Sequence, residues 1–292
     1  MVSRDIKEQL MTEYLVHKAV NLDQVFKKLV QPLEHYEANY FLQWKYDGCN
    51  CIMEVGGRTL SRTGELMSSM GQVERLLEGF PQLAGMVVLG EAWHPTKDFS
   101  TASGEFRRFE ESDSLWFVMF DCLTQKEFNQ GYSDVPYVTR QARYDGVRVD
   151  NRLIPAHTKV AGAYKDAQAW AQTLREAGGY DGVILRDPLG TWKAGEGKTG
   201  EIIRIKPKLS FDLRVTQVFA SVGEKTGRTV WTIEVDFKGR ALRVGSGVPH
   251  NFKDLPKYGD IVEIEAMNLS SKGLLREPRF KSIRYDKVEA DC

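Results

Sequence analysis

Apolar residues recur at helical spacing near the start of the chain and at strand spacing through most of the remainder. In residues 1–30, Ile6, Leu10 and Tyr14 fall on one helical face, which predicts packing helices that end near Pro32. An Ala-rich stretch over residues 160–178 predicts another helix, closed by glycine. Short apolar runs between these segments predict strands, so the chain is expected to be α+β.

The pattern changes near residue 210. From there to the end, short alternating segments are separated by Gly-containing turns such as Lys238-Gly239-Arg240. Such spacing is typical of a small five-stranded barrel. We therefore expect two domains, residues 1–209 and residues 210–292.

Composition narrows the classes of protein that fit. The sequence has no run of eighteen apolar residues, and its first residues lack the apolar core of a signal peptide. Its four cysteines have no metal-ligand spacing, so a reduced, cytoplasmic protein with no membrane partner is expected. The net charge is zero, but residues 272–287 carry six basic and two acidic side chains. This local excess indicates a phosphate-bearing partner, although a solvated charged face has the same composition.

Lys45 lies between two predicted strands, in the sequence Trp44-Lys45-Tyr46-Asp47-Gly48. Partial burial or nearby cations would lower the pKa of its ammonium group and provide an amine able to attack phosphorus or carbonyl carbon. Taken alone, the segment is more typical of an ordinary, solvated strand-end lysine followed by an Asp-Gly turn.

Other polar residues are placed where chemistry is possible. Arg62, next to Gly64 at a predicted strand end, could bind a phosphate with both guanidinium nitrogens. Glu91 directly follows an apolar run, where a carboxylate is costly unless it meets a ribose hydroxyl, a cation or a metal. Lys206 and Lys208 alternate by two, so on a strand they would share a face and attract an anion.

In chain order, these segments resemble the motifs of the covalent nucleotidyltransferases, and the complete set most resembles the small ATP-dependent DNA ligases of phage and bacterial type. The matching segments are Lys45-Tyr46-Asp47-Gly48, Ser61-Arg62-Thr63-Gly64, Gly90-Glu91, Phe120-Asp121, Tyr180-Asp181-Gly182, Lys206-Pro207-Lys208, Arg276-Glu277-Pro278-Arg279-Phe280 and Arg284-Tyr285-Asp286-Lys287. The resemblance implies a nucleotidyltransferase (adenylation) domain of antiparallel sheets flanked by helices, followed by a C-terminal all-β OB-fold barrel.

The resemblance also implies an activity. ATP would adenylate Lys45, and the AMP would pass to the 5′-phosphate of a nick in duplex DNA before the 3′-hydroxyl closes the strand, in replication, repair or recombination. The protein would act as a monomer with Mg²⁺. The implied catalytic residues are Lys45, Asp47, Lys206 and Lys208. The implied nucleotide-binding residues are Trp44, Lys45, Glu91, Phe120, Asp181, Lys206, Lys208, Arg284 and Lys287. The implied metal ligands are Asp47, Glu91 and Asp181, and the implied DNA-binding residues are Asn50, Arg62, Arg107, Arg108, Arg276 and Arg279.

Two positions depart from the family pattern. Asn50 stands where the family has arginine, so its contact with the nick or ribose should be weaker. Asp181 stands where the family has glutamate, so a water is expected to bridge its shorter side chain to the metal. The paired arginines Arg107 and Arg108 are expected on a polar, flexible loop that begins at Asp98.

Other classes of protein share parts of the pattern. An RNA ligase would have the first five motifs, and a capping guanylyltransferase would also carry a barrel, but the final motifs favour DNA. An NAD-dependent ligase would need a nicotinamide-binding domain before the lysine and usually zinc-binding cysteines. The non-enzyme alternative is an inactive nucleic-acid-binding OB module beside a degenerate partner domain.

Overall fold

The computed structural model describes residues 14–22, 33–96, 99–149, 152–160, 166–195, 200–222, 227–270 and 272–292. The chain divides into two compact units, Met1–Lys206 and Pro207–Cys292. Within the described ranges, no helix combines the length and the apolar character needed to cross a membrane.

The first unit contains helices and many short strands. Its helices are α1 (Leu33–Asn39), α2 (Gly71–Glu78), α3 (Phe99–Phe106), α4 (Gln125–Gln130), α5 (Tyr137–Ala142) and α6 (Ala167–Ala177). Its strands are β1 (Val20–Asn21), β2 (Phe41–Tyr46), β3 (Cys49–Glu54), β4 (Thr59–Ser61), β5 (Met86–Trp93), β6 (Trp116–Thr124), β7 (Tyr132–Ser133), β8 (Leu153–Pro155), β9 (Thr158–Val160), β10 (Tyr180–Arg186), β11 (Trp192–Lys193) and β12 (Ile202–Ile205).

Two five-stranded sheets form the body of this unit. One has the strand order β1-β12-β10-β2-β9 and the other has the order β4-β3-β5-β6-β8, while β7 and β11 form a small ribbon. Neighbouring strands are antiparallel except for the pairs β1–β12 and β6–β8. Lys45 therefore belongs to the first sheet and Glu91 to the second.

Apolar side chains hold a helix against each sheet. Leu42 and Val183 of the first sheet pack in one buried cluster with Leu174 of α6. Val88 of the second sheet packs in another with Leu77 of α2. Burying each such side chain contributes about 1.5–3 kcal/mol, so these contacts fix the sheets on their helices.

Alternation along β2 then determines where Lys45 lies. Leu42 and Trp44 are on the face that packs toward the α6 cluster, whereas Gln43 and Lys45 lie on the opposite face. Gln43 is buried there and donates to the Tyr137 hydroxyl (2.7 Å). The reactive-lysine candidate is thus on the face of the sheet that bears polar groups.

The second unit is built on antiparallel strands. They are β13 (Leu209–Val222), β14 (Thr229–Phe237), β15 (Arg240–Val244), β16 (Ile261–Ala266), β17 (Asn268–Leu269), β18 (Leu275–Arg276) and β19 (Arg279–Ile283). The main sheet has the order β15-β14-β13-β16-β19. The long strand β13 pairs with β16 through its first residues and with β14 through its later ones, which curves the sheet.

The α+β class is confirmed, but a closed barrel is a loose description of the second unit. Among its described residues, the edge strands meet only where Ser246 bridges to Arg279. Phe280 donates its backbone N–H to the Ser246 carbonyl at the same point (2.9 Å). The sheet curls around a core that includes Leu213, Val235 and Ile264, with one short closing contact in place of a continuous ladder.

Two local predictions differ from the structure, and a third is largely untested. Much of the predicted N-terminal helical region, residues 1–13 and 23–32, lies outside the described residues. Val20 belongs to strand β1, because it pairs with Ile203 at the edge of the first sheet. The helix predicted from residue 160 begins at Ala167, where the Asp166 carboxylate caps it by accepting from Ala169 N–H (2.9 Å).

The prediction of a polar, flexible loop after Asp98 is also wrong. Residues Phe99–Phe106 form α3, because Ala102 and Phe106 are buried one helical turn apart against the second sheet. The small and polar residues of this segment are typical of a loop, but packing against the sheet stabilises it as a helix. Arg107 and Arg108 follow the helix directly and are exposed.

Candidate active site

A single carboxylate holds two lysines together. The Lys45 Nζ lies 2.9 Å from Asp181 Oδ2, and the Lys206 Nζ contacts the same oxygen. The three side chains are 23%, 24% and 24% exposed, so they can still be reached from solvent. The structure therefore brings together three of the residues that the sequence singled out, from β2, from β10 and from the residue after β12.

A β-bulge aims Asp181 at the lysines. In the pairing of β10 with β2, Tyr180 faces Tyr46 and Gly182 faces Lys45, which leaves Asp181 as the extra residue. Bulges redirect a side chain without ending the sheet. The carboxylate consequently reaches the Lys45 ammonium from the neighbouring strand.

Two glycines make the close approach possible. A Cβ at Gly182 would lie 2.2 Å from the Ile205 carbonyl oxygen, and the residue has φ +124°. A Cβ at Gly48 would lie 2.3 Å from the Ala92 carbonyl oxygen. Glycine is required at both positions because backbone occupies the space of a side chain.

The pKa of Lys45 is raised, whereas the sequence predicted that it would be lowered. Burial lowers the pKa of its ammonium group, but the carboxylates of Asp181 and Glu91 outweigh burial and raise it overall. The lowered pKa belongs to Lys206, whose ammonium group is destabilised by burial and by the charge of Lys45. The pKa of Asp181 is lowered, because the two lysines outweigh the effect of its burial, so it remains a carboxylate.

Glu91 carries the most unusual carboxyl group of the site. It lies on β5 opposite Asn50 of β3. Burial, with smaller contributions from Asp47 and Asp181, raises the pKa of Glu91 to about 7 against the opposing charge of Lys45. Glu91 therefore changes charge near neutral pH, and a nearby cation would favour its ionised form.

Three acidic residues were predicted as metal ligands. Among the described residues, no three His, Cys, Asp or Glu side chains converge closely enough to hold a metal. Asp47 and Glu91 are nevertheless within electrostatic range of each other and of Asp181. Mg²⁺ commonly takes only one or two protein carboxylates and completes its shell with water and phosphate oxygens. Burial is the main cause of the raised pKa of Glu91, but the negative charges of Asp47 and Asp181 also raise it, and a divalent cation would relieve this repulsion, so the donor set fits such an ion.

Asn50 and Trp44 each leave a buried polar atom without a hydrogen-bond partner among the described residues. These atoms are Asn50 Oδ1 and Trp44 Nε1. Trp44 packs on His157, with 4.1 Å between ring centroids, on the face of β2 opposite Lys45. The structure therefore does not bring the Trp44 side chain to the Lys45 ammonium.

Phe120 also occupies a bulge. Asp121 pairs with Leu89 and Met119 pairs with Gly90, so Phe120 is the extra residue of β6. The Arg186 guanidinium lies 5.4 Å from the Phe120 ring centroid and donates to the Phe120 carbonyl (3.2 Å). The ring is half-buried, which leaves part of it available to a planar ligand.

A buried triad of charged side chains lies next to Phe120. Asp121 is paired with Arg186 (3.0 Å) and with Arg140 (2.9 Å), and all three side chains are almost fully buried. The two guanidinium groups outweigh burial and lower the pKa of Asp121. Sequence reasoning missed Arg140, because the short helix α5 on which it lies carries no recognisable motif. Only its side-chain contacts reveal it.

Two of the predicted DNA-binding arginines lie near the Glu91 edge of the second sheet. Burial raises the pKa of the Cys49 thiol, while a hydrogen bond from Ser103 and the charges of Arg107 and Arg62 oppose that rise. Both guanidinium groups thus act electrostatically on Cys49, which pairs with Ala92 beside Glu91. Arg62 is exposed and lies over the Tyr14 ring (5.0 Å).

Lys208 is not on a strand face shared with Lys206. The segment between β12 and β13 is irregular, and Lys208 belongs to the second unit. Its Nζ pairs with Glu265 (3.0 Å), which also pairs with Lys281 (3.3 Å). The prediction of one lysine pair on one strand is therefore wrong, because Pro207 interrupts the strand pairing.

The basic residues of the last motif are held by carboxylates of the second unit. Arg284 donates to both oxygens of Asp212 (3.1 and 2.9 Å), and Lys287 contacts the same group. Arg284 also pairs with Asp286 (2.7 Å). The exposed residues Arg276 and Arg279 lie on β18 and β19.

The fold is shared with solved DNA ligase structures. No protein-family model and no curated protein sequence matches the chain. A structure described as Pmar-Lig_PreS3 matches with TM-score 0.69 and 21% identity, over 92% of this chain and 67% of that chain. A Lig E DNA ligase matches with TM-score 0.69 and 14% identity, over 92% and 98%. The ATP-dependent DNA ligase of bacteriophage T7, solved with ATP, matches with TM-score 0.52 and 19% identity, over 94% and 100%. The chain therefore has the fold of the ATP-dependent DNA ligases, a nucleotidyltransferase unit with an OB-fold unit.

Proposed function

We propose that this protein is an ATP-dependent DNA ligase that seals nicks between a 5′-phosphate and a 3′-hydroxyl in duplex DNA. The observation that supports this best is the bridging of Lys45 and Lys206 by Asp181, within a ligase fold. A nucleophilic amine beside a second fixed cation suits attack on a phosphate ester, since the charge of the transferring group is then neutralised.

In the first step, the Lys45 Nζ attacks the α-phosphorus of ATP. An N–P bond forms, the P–O bond to pyrophosphate breaks, and Lys45 loses a proton. Asp181 holds Nζ in position, and its carboxylate, 2.9 Å away, accepts the proton that Lys45 must lose before the free amine attacks. The phosphates of ATP then compete with Asp181 for the Lys206 ammonium group. In this scheme Lys206 is the cation that neutralises the charge of the leaving pyrophosphate.

In the second and third steps, AMP is the group that is transferred and then released. A 5′-phosphate oxygen attacks the adenylate phosphorus as the N–P bond to Lys45 breaks. The 3′-hydroxyl oxygen then attacks the 5′-phosphorus, AMP leaves, and the hydroxyl loses its proton. Both steps are phosphoryl transfers, which depend on positioning and charge neutralisation.

The proposed nucleotide contacts come from the resemblance of the motifs, and the side-chain positions support them. Glu91 would accept from a ribose hydroxyl, and Phe120 would stack on adenine. A Mg²⁺ ion would be held by Asp181 with Glu91 and Asp47, and when bound it supplies charge neutralisation on the phosphates. Lys208, Arg284 and Lys287 are included among the nucleotide-binding residues on the resemblance of their motifs.

The DNA contacts are proposed on charge and exposure. Arg62 and Arg107 are exposed and act electrostatically on Cys49, which supports the proposal that they bind phosphates flanking a nick. The other residues proposed to contact DNA are Asn50, Arg108, Arg276 and Arg279.

Intact-mass spectrometry after incubation with ATP and Mg²⁺ tests the first step. We expect a gain of one AMP on the parent protein and none on Lys45→Ala. Lys45→Arg keeps the positive charge but has no free amine, so it should also fail. A GMP adduct would indicate a capping enzyme instead, and the absence of either adduct would favour the binding-module alternative.

A further inference from the structure

The loop that follows α3, residues 107–111, presents an unusually exposed aromatic side chain. Phe109 is 94% exposed, more than any other large apolar residue in the described ranges. Burying a phenylalanine typically contributes about 1.5–3 kcal/mol, so folding alone does not favour this arrangement. Single exposed apolar residues are nevertheless common on protein surfaces. The surroundings of Phe109 must therefore decide whether its exposure has a function.

Both ends of the loop are fixed on Ser69. The Ser69 hydroxyl donates to the Phe106 carbonyl (2.7 Å), and the Ser112 backbone N–H donates to the Ser69 carbonyl (2.8 Å). Buried Glu105 accepts from the Ser112 hydroxyl (3.2 Å) and from Ser114. The chain thus leaves the core and returns to it at one defined place.

A third attachment holds the far side of the loop. Glu111 accepts two hydrogen bonds from Arg75 of α2 (2.9 and 2.6 Å). The Glu111 carboxylate also lies against Gly71, where a Cβ would come within 2.4 Å of its oxygen. Phe109 therefore lies at the tip of a loop that is tied down before and after it.

The loop begins beside the candidate active site. Helix α3 packs against β3 and β5, the strands that carry Asn50 and Glu91. Arg107, the first residue of the loop, lies close enough to Cys49 to affect the pKa of its thiol, as does Arg62. The exposed tip therefore follows, by two residues, an arginine whose charge reaches the strand that carries Asn50.

The sequence of the loop combines two kinds of nucleic-acid contact. The exposed side chains of Arg107 and Arg108 can bind phosphates, which position a protein on a duplex. An aromatic ring can pack on bases and sugars, whatever their sequence. Because the loop is already tied down, binding would cost it little conformational entropy.

We propose that Phe109 is a DNA-contact residue that packs its ring against the bases and sugars of the duplex beside the nick, while Arg107 and Arg108 bind adjacent phosphates. This inference rests on the proposed ligase function and names a residue that contacts its DNA substrate.

Salt dependence separates the aromatic contact from the phosphate contacts. We would measure the Kd of the adenylated full-length protein, at several salt concentrations, for a nicked duplex that lacks the 5′-phosphate and therefore cannot take up the AMP. Phe109→Ala should weaken binding about tenfold with an unchanged salt slope, since no phosphate contact is lost. Phe109→Trp should bind like the parent. Arg108→Gln should instead lower the slope of log K against log salt by about 0.9.

A matched control uses another exposed aromatic residue of the same unit. Tyr132 is 48% exposed on the β7–β11 ribbon, and Tyr132→Ala should bind the nick like the parent. An AMP adduct on Phe109→Ala would show that the variant is folded. If that variant forms the adduct and binds as tightly as the parent, or if Tyr132→Ala loses as much affinity, the inference is wrong. Failure of the parent itself to form an adduct would overturn the proposed function as well.

Discussion

Glu91 illustrates how neighbouring groups set the charge of one carboxyl in this site. Burial raises its pKa from 4.5 to about 7, with Asp47 and Asp181 adding to the shift. Asp181, only a short distance away, has its pKa lowered because two lysines outweigh its burial. Two carboxyl groups of one site thus have different charges at neutral pH, which is common where proton and phosphate chemistry take place.

The raised pKa of Glu91 predicts a pH-dependent cost to stability. Between pH 4.5 and about 7 the folded state binds this proton more tightly than the unfolded state, so stability falls as pH rises through that window. Glu91→Gln removes the titration and should raise the urea unfolding midpoint more at pH 8 than at pH 5. An equal change at the two pH values would show that Glu91 has an ordinary pKa.

At the scale of elements, the candidate site depends on how strands meet. Asp181 and Phe120 are each the extra residue of a β-bulge, and Gly48 and Gly182 allow backbone to approach where a side chain would collide. The motifs therefore consist of residues that shape the strands as well as residues that bear charge.

Gly182→Ala tests the need for this close approach. The new methyl group would meet the Ile205 carbonyl at 2.2 Å in a backbone conformation with φ +124°. We expect a loss of about 2 kcal/mol or more in the free energy of unfolding, measured by urea denaturation. Gly104→Ala is the control, because this helical glycine has open space around it and alanine should add about 0.5–1 kcal/mol. Equal stabilities for the two variants would contradict this explanation.

The buried ion triad gives a second prediction at this scale. Arg140→Met leaves Asp121 with Arg186 as its one remaining cation in a buried setting, and it should lower the free energy of unfolding by about 3 kcal/mol. Arg75→Met removes an arginine that is 60% exposed and also paired with a carboxylate, and it should leave stability unchanged. A loss from both variants would mean that pairing matters here regardless of burial.

At the scale of the whole molecule, the sequence predicted the α+β class and most of the residues that meet around Lys45. Lys45, Asp181 and Lys206 are far apart in the chain, and the order of motifs anticipated their convergence. Their contacts could not be predicted in the same way. The raised pKa of Lys45 depends on carboxylates from two other strands, and the pairing of Lys208 with Glu265 depends on the second unit.

Other features had no sequence signal because they arise from packing alone. Helix α3 has mostly small and polar residues between Phe99 and Phe106, and it forms against a buried sheet face. Arg140 lies outside every motif, yet it completes the charge balance around Asp121. The open curl of the second unit is set by the pairing of β13 with two different partners, which alternation alone does not specify.

Transfer of AMP from the protein to DNA tests the central claim most directly. Protein that has been adenylated and freed of ATP would be mixed with a 5′-phosphorylated nicked duplex, and the mass of the protein and the length of the DNA strand would be followed together. We predict that the protein loses one AMP as the nicked strand becomes continuous, and that a nick without the 5′-phosphate leaves the adduct intact. An adduct that persists on the phosphorylated nick, or that is discharged only by RNA ends, would contradict the assignment as a DNA ligase.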